Sequence, residues 1–335
     1  MTSHDVAALA GVSQSAVSRA FTLGSSISDE KRERILEAAR KLSYVPNSIA
    51  SSLITRRSKT IAIILGNIDN PFYILVLKAF IEKLQESGRQ VFTFTVDPKS
   101  SADDAIMRVL GYQVDGIVLT SAQISTRTTS LCLDRGIPII LFNRYIPGSD
   151  ASVVRCDNVG GGRLLAEAFI KARAKRFAIV KGDPMGTTSQ DRVQGFTERL
   201  LEAGIARSAI QEIEGNSVYD DACKAVLQAY ADGAAPLPDA IFGVNDIMAM
   251  GAIDAIRHRL GARIPEDVMI GGFDDIPEGR RAPYELTTIR QPIDEMVDET
   301  LKILDVAAEE GRVQADRHHL APTRLIWRKT IRRPT

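Results

Sequence analysis

After Thr60 the chain alternates short apolar runs with longer amphipathic segments, and that alternation limits most severely what it can fold into. Apolar runs of about four to eight residues separated by helical segments are the pattern of βαβ units and a parallel sheet. Strands are expected at 61–65, 91–96, 116–120 and 138–142, with helices near 71–87, 101–112 and 126–135 between them. The series then repeats: helix 158–171, strand 176–181, helix 189–203, strand 210–214, helix 219–231, strand 240–243, helix 246–260 and strand 268–273. Two such series in one chain describe two similar lobes. A late helix near 291–310 and a strand near 325–327 fit neither lobe by pattern alone.

The first 45 residues follow a different rule. Three short helical patterns are separated by turn signals, with too few strand formers for a sheet. Thr2 caps the first, Asp5 sits near its N-terminal dipole, and Val6, Ala7, Leu9 and Ala10 supply an apolar face that Gly11 ends. Ser13 caps a second helix from Gln14 to Ala20, so a tight Gly-containing turn joins the pair as a helix-turn-helix. Ser28 caps a third, whose Ile35, Ala38, Ala39 and Leu42 fall on one helical face. Between head and body the serine-rich, weakly helical stretch PNSIASSLITRRSK reads as a linker.

Charge separates the same regions. The chain is neutral overall, yet residues 1–60 carry nine Lys and Arg against five Asp and Glu. A basic head on a mildly acidic body points to a polyanion partner for the head. With 44% hydrophobic and 25% charged residues, neither a disordered chain nor a membrane protein fits. The start MTSHDVAALAGVS shows no secretory signal pattern, so a cytoplasmic location is expected. Cys132, Cys156 and Cys223 are widely spaced and expected to be reduced core or surface thiols.

Ligands of open parallel sheets bind beyond the carboxyl ends of the strands. The residues there are polar: Asp69 and Asn70 with Phe72 and Tyr73, then Asp97, Ser121, Asn143 with Arg144, Thr188, Ser189 and Arg192, Asn245 with Asp246, and Asp274 with Asp275. Two lobes facing each other across these ends would enclose a polar pocket suited to a small polyhydroxylated or anionic molecule. The competing reading is that these Asp and Asn residues cap the helices that follow. For an enzyme, sharper features are missing. His4, His258, His318 and His319 show no metal-ligand spacing, and the sequence has no nucleophile elbow, P-loop or dinucleotide fingerprint. Gly160, Gly161 and Gly162 at a helix start mark a crossover between lobes rather than a phosphate loop. Adjacent Asp274 and Asp275 point to different sides and make a poor acid/base pair. No catalytic role, metal or cofactor is expected.

The segments DVAALAGVSQSAVSRAF, SDEKRERILEAARKLSYVPNSIASSL and TIAIILGNIDNPFY resemble the lactose-repressor family of bacterial transcription regulators. DGIVLTS, GIPIILFNR, DNVGGGRLLAEAF, TSQDRVQGF, VNDIMAMGAIDAI, IGGFDDIP and LTTIRQP extend the resemblance over nearly the whole chain, in the family's order. It implies an α/β protein with an all-α helix-turn-helix head at 1–45, a hinge at 46–58 and a two-lobed body at 59–335 like that of periplasmic binding proteins. The first lobe is expected at 59–156 plus 291–312, and the second at 157–290 plus 313–335.

The resemblance further implies a homodimer on a pseudo-palindromic double-stranded DNA operator, acting as a repressor. Gln14, Ser15 and Arg19 would reach base edges, Arg19 being matched to guanine or alternatively to phosphate, while Ser13 and Ser18 would hold phosphates. In the hinge, Asn47, Ala50 and Leu53 would touch DNA, with Leu53 either wedged into the minor groove or used as a lobe or dimer contact. The effector would meet Phe72, Tyr73, Asn143, Thr188, Arg192, Asn245, Asp274 and Gln291. Three departures bear on its identity: Asn143 stands where Asp is usual, Ser217 where sugar-binding members carry an aromatic platform, and Gly186 where purine-binding members have Arg. A sugar, sugar acid or related metabolite is therefore expected rather than a nucleobase. The rival readings are a cytoplasmic solute-binding protein, or a DNA-binding regulator whose body only dimerises. If Leu53 is a wedge, Leu53→Ala reduces operator bending and specific affinity but leaves the salt dependence of binding unchanged; unaltered bending in a gel-phasing assay removes the wedge role.

Overall fold

A computed structural model describes residues 1–21, 25–45, 58–97, 100–231, 235–310 and 317–333. They fall into two units, Met1–Ser58 and Lys59–Thr335. The hinge residues Asn47, Ala50 and Leu53 lie outside the described residues.

In the first unit α1 spans Ser3–Ala10, α2 Gln14–Ala20 and α3 Asp29–Lys41. The Asp5 backbone N–H donates to Thr2 Oγ1 while the Thr2 N–H donates to the Asp5 carboxylate at 2.8 Å, a reciprocal capping box. Gly11 ends α1 in the left-handed conformation, φ +63°, which costs glycine little. Ser13 accepts from the Ala16 N–H and starts α2. Ser28 stands at the start of α3 without a capping side-chain bond. Val6, Ala7, Ala10, Ala16, Val17, Ala20, Ile35, Ala38 and Ala39 form one small core. Leu9, expected on the apolar face, is 54% exposed, because a step of about 100° per residue turns it away from the Val6–Ala10 stripe.

The second unit contains two six-stranded sheets. The first has β1 (Thr60–Leu65), β2 (Gln90–Thr95), β3 (Gly116–Thr120), β4 (Ile139–Phe142) and β5 (Ser152–Cys156), with α4 (Pro71–Glu86), α5 (Asp103–Val109) and α6 (Thr126–Asp134) connecting them. After α7 (Asn158–Lys171) the second sheet has β6 (Phe177–Lys181), α8 (Thr187–Glu202), β7 (Ile210–Glu214), α9 (Tyr219–Tyr230), β8 (Ala240–Gly243), α10 (Asp246–Asp254), β9 (Met269–Asp274) and β10 (Thr287–Arg290). The chain closes with α11 (Ile293–Glu310), β11 (His318–Ala321) and β12 (Arg324–Ile326). The spatial orders are β11-β5-β4-β3-β1-β2 and β12-β10-β9-β8-β6-β7, parallel except for β12 against β10. Each therefore contains the doubly wound order in which the strand direction of travel reverses beside the first strand.

α11 belongs with the first sheet: Lys83 of α4 donates to the Asp294 carbonyl at 3.1 Å and pairs with Asp298, and Arg89 pairs with Asp305. β11 also joins the first sheet, beside β5, although 313–335 was expected in the second lobe. The reason is local: β5 would otherwise be an open edge, and His318–Ala321 pairs with it before the chain returns to β12. The chain thus passes between lobes after β5, after β10 and after β11. The glycine run at the first crossing serves packing. A Cβ on Gly161 would strike the Phe273 ring, and one on Gly162 the Arg192 carbonyl, so these glycines let α7 lie close to α8 and β9.

Among the described residues no helix is long and apolar enough to cross a membrane. In the second lobe Phe196 is fully buried, its ring centroid 4.8 Å from Phe242, 6.0 Å from Phe169 and 6.3 Å from Phe177. Phe196→Ala is expected to cost about 3–5 kcal/mol and lower the body's melting temperature, as followed by circular dichroism. A change below about 1 kcal/mol contradicts this packing.

Candidate functional site

Two surfaces bring the sequence's candidate residues together. On the head, burial of Ala16, Val17 and Ala20 turns Ser13, Gln14, Ser15, Ser18 and Arg19 outward on the exposed face of α2. Gln14 Nε2 donates to Ser3 Oγ at 2.8 Å, and Ser13 and Ser15 hydroxyls lie 2.9 Å apart. Arg32 donates to the Ala20 carbonyl at 2.6 Å and so fixes the end of α2 against α3. The outward set combines hydrogen-bonding groups and one guanidinium at the N-terminal half of a helix, the chemistry that reads base edges and phosphates.

In the body, a cleft of about 770 Å³ opens between the carboxyl ends of the two sheets. Phe72, Tyr73 and Asn143 line it from the first lobe, and Thr188, Arg192, Asn245 and Asp274 from the second. Gln291 lies just behind, in the crossing after β10, where its Nε2 donates to Asp274 Oδ1 at 2.6 Å. All eight sequence-derived positions thus converge on one place. Phe72 and Tyr73 meet edge to face at 5.2 Å at the start of α4, where Asn70 accepts from the Phe72 N–H at 3.0 Å. Asn245 is the cap of α10, accepting from Met248 N–H at 2.9 Å, so the capping reading holds for its oxygen while its amide stays at the cleft. Ser217 lines the cleft with no aromatic ring at that position, and its Oγ accepts from the Asp183 N–H at 3.0 Å.

Beneath the cleft lies a buried ionic network. Arg192 donates through Nε to Asn158 Oδ1 at 2.8 Å and through Nη1 to the Val244 carbonyl at 2.7 Å, and its Nη2 pairs with Asp274 Oδ1 at 3.2 Å. Its guanidinium carbon sits 3.7 Å from the Phe273 ring centroid. Burial raises the Asp274 carboxyl while Arg192, Gln291 and Asn70 oppose that rise. Asp275, next in sequence, turns away through a left-handed backbone, φ +62°, and pairs with Arg280, Arg290 and Arg328. Asp246 is a third buried acid, accepting from the Thr288 hydroxyl and from the Ile276 N–H at 2.8 Å. Burial, with Asp274 and Asp275 nearby, pushes its pKa up to about 7. Cys156 is also buried, its thiol pushed up to about 12, and Sγ lies 3.4 Å from Asn158 Oδ1.

A second polar contact crosses the cleft's edge. Asp191 of α8 accepts from Arg155 Nη1 of β5 at 2.7 Å and from the Tyr145 hydroxyl at 3.1 Å, with the Arg155 guanidinium 4.7 Å from the Tyr145 ring centroid. Nothing in the sequence pattern singles out this pair. Arg144 was visible at a strand end but absent from the expected effector contacts. It lines the cleft, is only 9% exposed, and its Nε has no hydrogen-bond partner among the described residues.

Residues 2–47 match the family described as bacterial regulatory proteins, lacI family, and residues 166–331 match a periplasmic binding protein-like domain. The HTH-type transcriptional regulator CelR of Thermobifida fusca is 30% identical over 306 residues, spanning 89% of each chain. The chain belongs to the lacI family of bacterial transcription regulators. The ribose operon repressor of Halalkalibacterium halodurans is 29% identical over 332 residues, covering 99% of this chain and 97% of its own. Among solved structures, a transcriptional regulator CelR–cellobiose complex aligns with a TM-score of 0.71 at 29% identity, over 98% of this chain and 99% of the other. A lac repressor dimer bound to operator and the anti-inducer ONPF aligns with a TM-score of 0.85 at 23% identity over 98% of both chains, which establishes the common fold. This lacI-family chain is accordingly a DNA-binding transcriptional regulator with a two-lobed α/β body.

The Asp246 carboxyl gives the family fold here a pH signature. Its folded-state pKa, about 7, exceeds the usual 3.8, so the native state binds the proton more tightly than the unfolded chain. Its contribution therefore falls as pH rises from about 4 to about 7. Asp246→Asn is expected to flatten the decline in melting temperature between pH 5 and pH 7; a wild-type decline preserved in the variant assigns it to other groups.

Proposed function

We propose that the protein is a homodimeric repressor that places α2 of each head in the major groove of a pseudo-palindromic operator and is controlled by a small metabolite in the body cleft. Gln14, Ser15 and Arg19 read base edges, Ser13 and Ser18 hold phosphates, and the hinge at 46–58, with Asn47, Ala50 and Leu53, completes the contact. Support comes from the exposed polar face of α2 and the basic head. The relatives' names add to it: a ribose operon repressor and a regulator solved with cellobiose.

One observation carries the effector reading. The cleft floor is a network anchored on the very segments that cross between lobes: Asn158 stands just past the first crossing and Gln291 in the second. A ligand touching Phe72, Tyr73, Asn143, Thr188, Arg192, Asn245 or Asp274 therefore acts on the hinge of the two lobes. Asp191 with Arg155 and Tyr145 holds one lobe arrangement at the cleft's edge. A ligand that binds one arrangement better than the other shifts the balance, and about 1–3 kcal/mol of coupling changes operator affinity about 5- to 150-fold. The site is built for binding rather than turnover: Asp274 is committed to Arg192 and Gln291, and Asp275 to three arginines.

The test is operator affinity of the full chain, measured by fluorescence anisotropy with and without a panel of sugars, sugar acids and polyols. A metabolite that shifts affinity in the wild type loses its effect in Arg192→Ala, whose head still binds operator. The same change strips Asp274 of its countercharge and costs about 3–5 kcal/mol of body stability, read from thermal unfolding. A retained metabolite response in the variant removes Arg192 from the effector site.

A further inference from the structure

The head's three candidate base-reading side chains are held in different ways. Arg19 Nε donates to the Ser15 carbonyl at 3.4 Å, one turn back in α2. The Ser15 hydroxyl lies 2.9 Å from that of Ser13, the cap of the same helix. Gln14 is steadied from outside α2. Its Nε2 donates at 2.8 Å to Oγ of Ser3, eleven residues earlier and the first residue of α1. Ser3 stands in a fixed frame: the reciprocal Thr2–Asp5 capping box sets the backbone around it, and Val6, Ala7 and Ala10 of α1 share one core with Ala16, Val17 and Ala20 of α2. Ser3 and Gln14 are both exposed, so the bond between them lies on the outer surface of the head.

From this geometry we propose that Ser3 is a positioning residue for operator recognition, holding the Gln14 amide in the pose that reads an adenine; the inference rests on α2 being the reading helix. A free glutamine side chain gives up rotamer freedom when it meets a base, and that ordering opposes binding. The bond to Ser3 does part of the ordering before DNA arrives. It also decides which atoms are on offer. With one Nε2 hydrogen given to Ser3, Gln14 keeps Oε1 as an acceptor and the second Nε2 hydrogen as a donor, both on one planar amide. Adenine presents the matching pair in the major groove, a donor at N6 and an acceptor at N7. Guanine presents two acceptors there, cytosine one donor, and thymine one acceptor beside a methyl group, so each leaves one end of the amide unanswered. Through Gln14, α1 contributes to sequence specificity.

Selection of duplexes from a randomised pool by the full chain gives the preferred half-site, and fluorescence anisotropy then measures the affinity for each base at each position. One position is expected to prefer adenine, and Gln14→Ala lowers that preference about 5- to 150-fold. Ser3→Ala is expected to lower the preference at the same position about two- to tenfold, the weight of one hydrogen bond, and to leave the other positions unchanged. Ser3→Thr, which keeps a hydroxyl, retains the preference, and Ser3→Ala added to Gln14→Ala has no further effect. Base preferences unchanged in Ser3→Ala overturn the proposal and leave α2 as the reading helix. The same holds for a loss of affinity equal for every sequence, which is what a phosphate contact by Ser3 gives, and for a base other than adenine at the position that Gln14→Ala relaxes. If Gln14→Ala relaxes no position, Gln14 reads no base, and the role of Ser3 falls with it. Enrichment of no sequence by protein shown to be folded overturns the operator reading itself.

Discussion

The Arg192 guanidinium is the group on which the body's arrangement turns. A cation removed from water in a protein interior is costly unless its donors find partners, and here one side chain reaches Asn158, the Val244 carbonyl, Asp274 and the face of Phe273. Those partners come from α7, the end of β8 and the end of β9. To bring them together α7 and α8 must nearly touch, and the missing side chains of Gly162 and Gly195 allow it: a Cβ on Gly195 would meet the Val159 carbonyl. The same guanidinium therefore sets the spacing of two helices, the position of a strand end and the floor of the cleft.

Two adjacent acids divide the work that follows. Asp274 faces the cleft and Asp275 faces the interior of the second lobe, because the backbone there takes positive φ at both residues. Asp275 gathers Arg280, Arg290 and Arg328, which ties β10 and the final segment to the end of β9. Asp274 in turn holds Gln291, at the second crossing between lobes. One hydrogen bond therefore joins the cleft floor directly to a crossing between lobes.

Much of this was legible beforehand because periodicity and strand-end chemistry are local signals. The strands and helices of both lobes fall within a few residues of their expected places, and Phe72, Tyr73, Asn143, Thr188, Arg192, Asn245 and Asp274 all face the same cleft. The failures are also local in origin. Ser152–Cys156, Thr287–Arg290 and His318–Ala321 are short strands at the crossings between lobes, outside the regular strand–helix alternation, and only their neighbours give them hydrogen bonds. Leu9 stays exposed because one turn of helix supplies more apolar residues than its buried face can take. That Arg144 Nε is buried without a hydrogen-bond partner is a property of its surroundings, not of its residue type, and so has no local signal in the sequence.

By itself, the order of residues determined the head's three helices, the two repeats of the parallel sheet and the chemical character of the strand ends, because each depends on neighbours within about one turn or one strand. Tertiary structure alone decided which lobe receives β11, that Asp275 gathers three arginines, and that Arg144 Nε is buried without a hydrogen-bond partner. Those outcomes depend on atoms brought together from positions up to hundreds of residues apart, and at such range only the packing of the whole unit sets distance and burial.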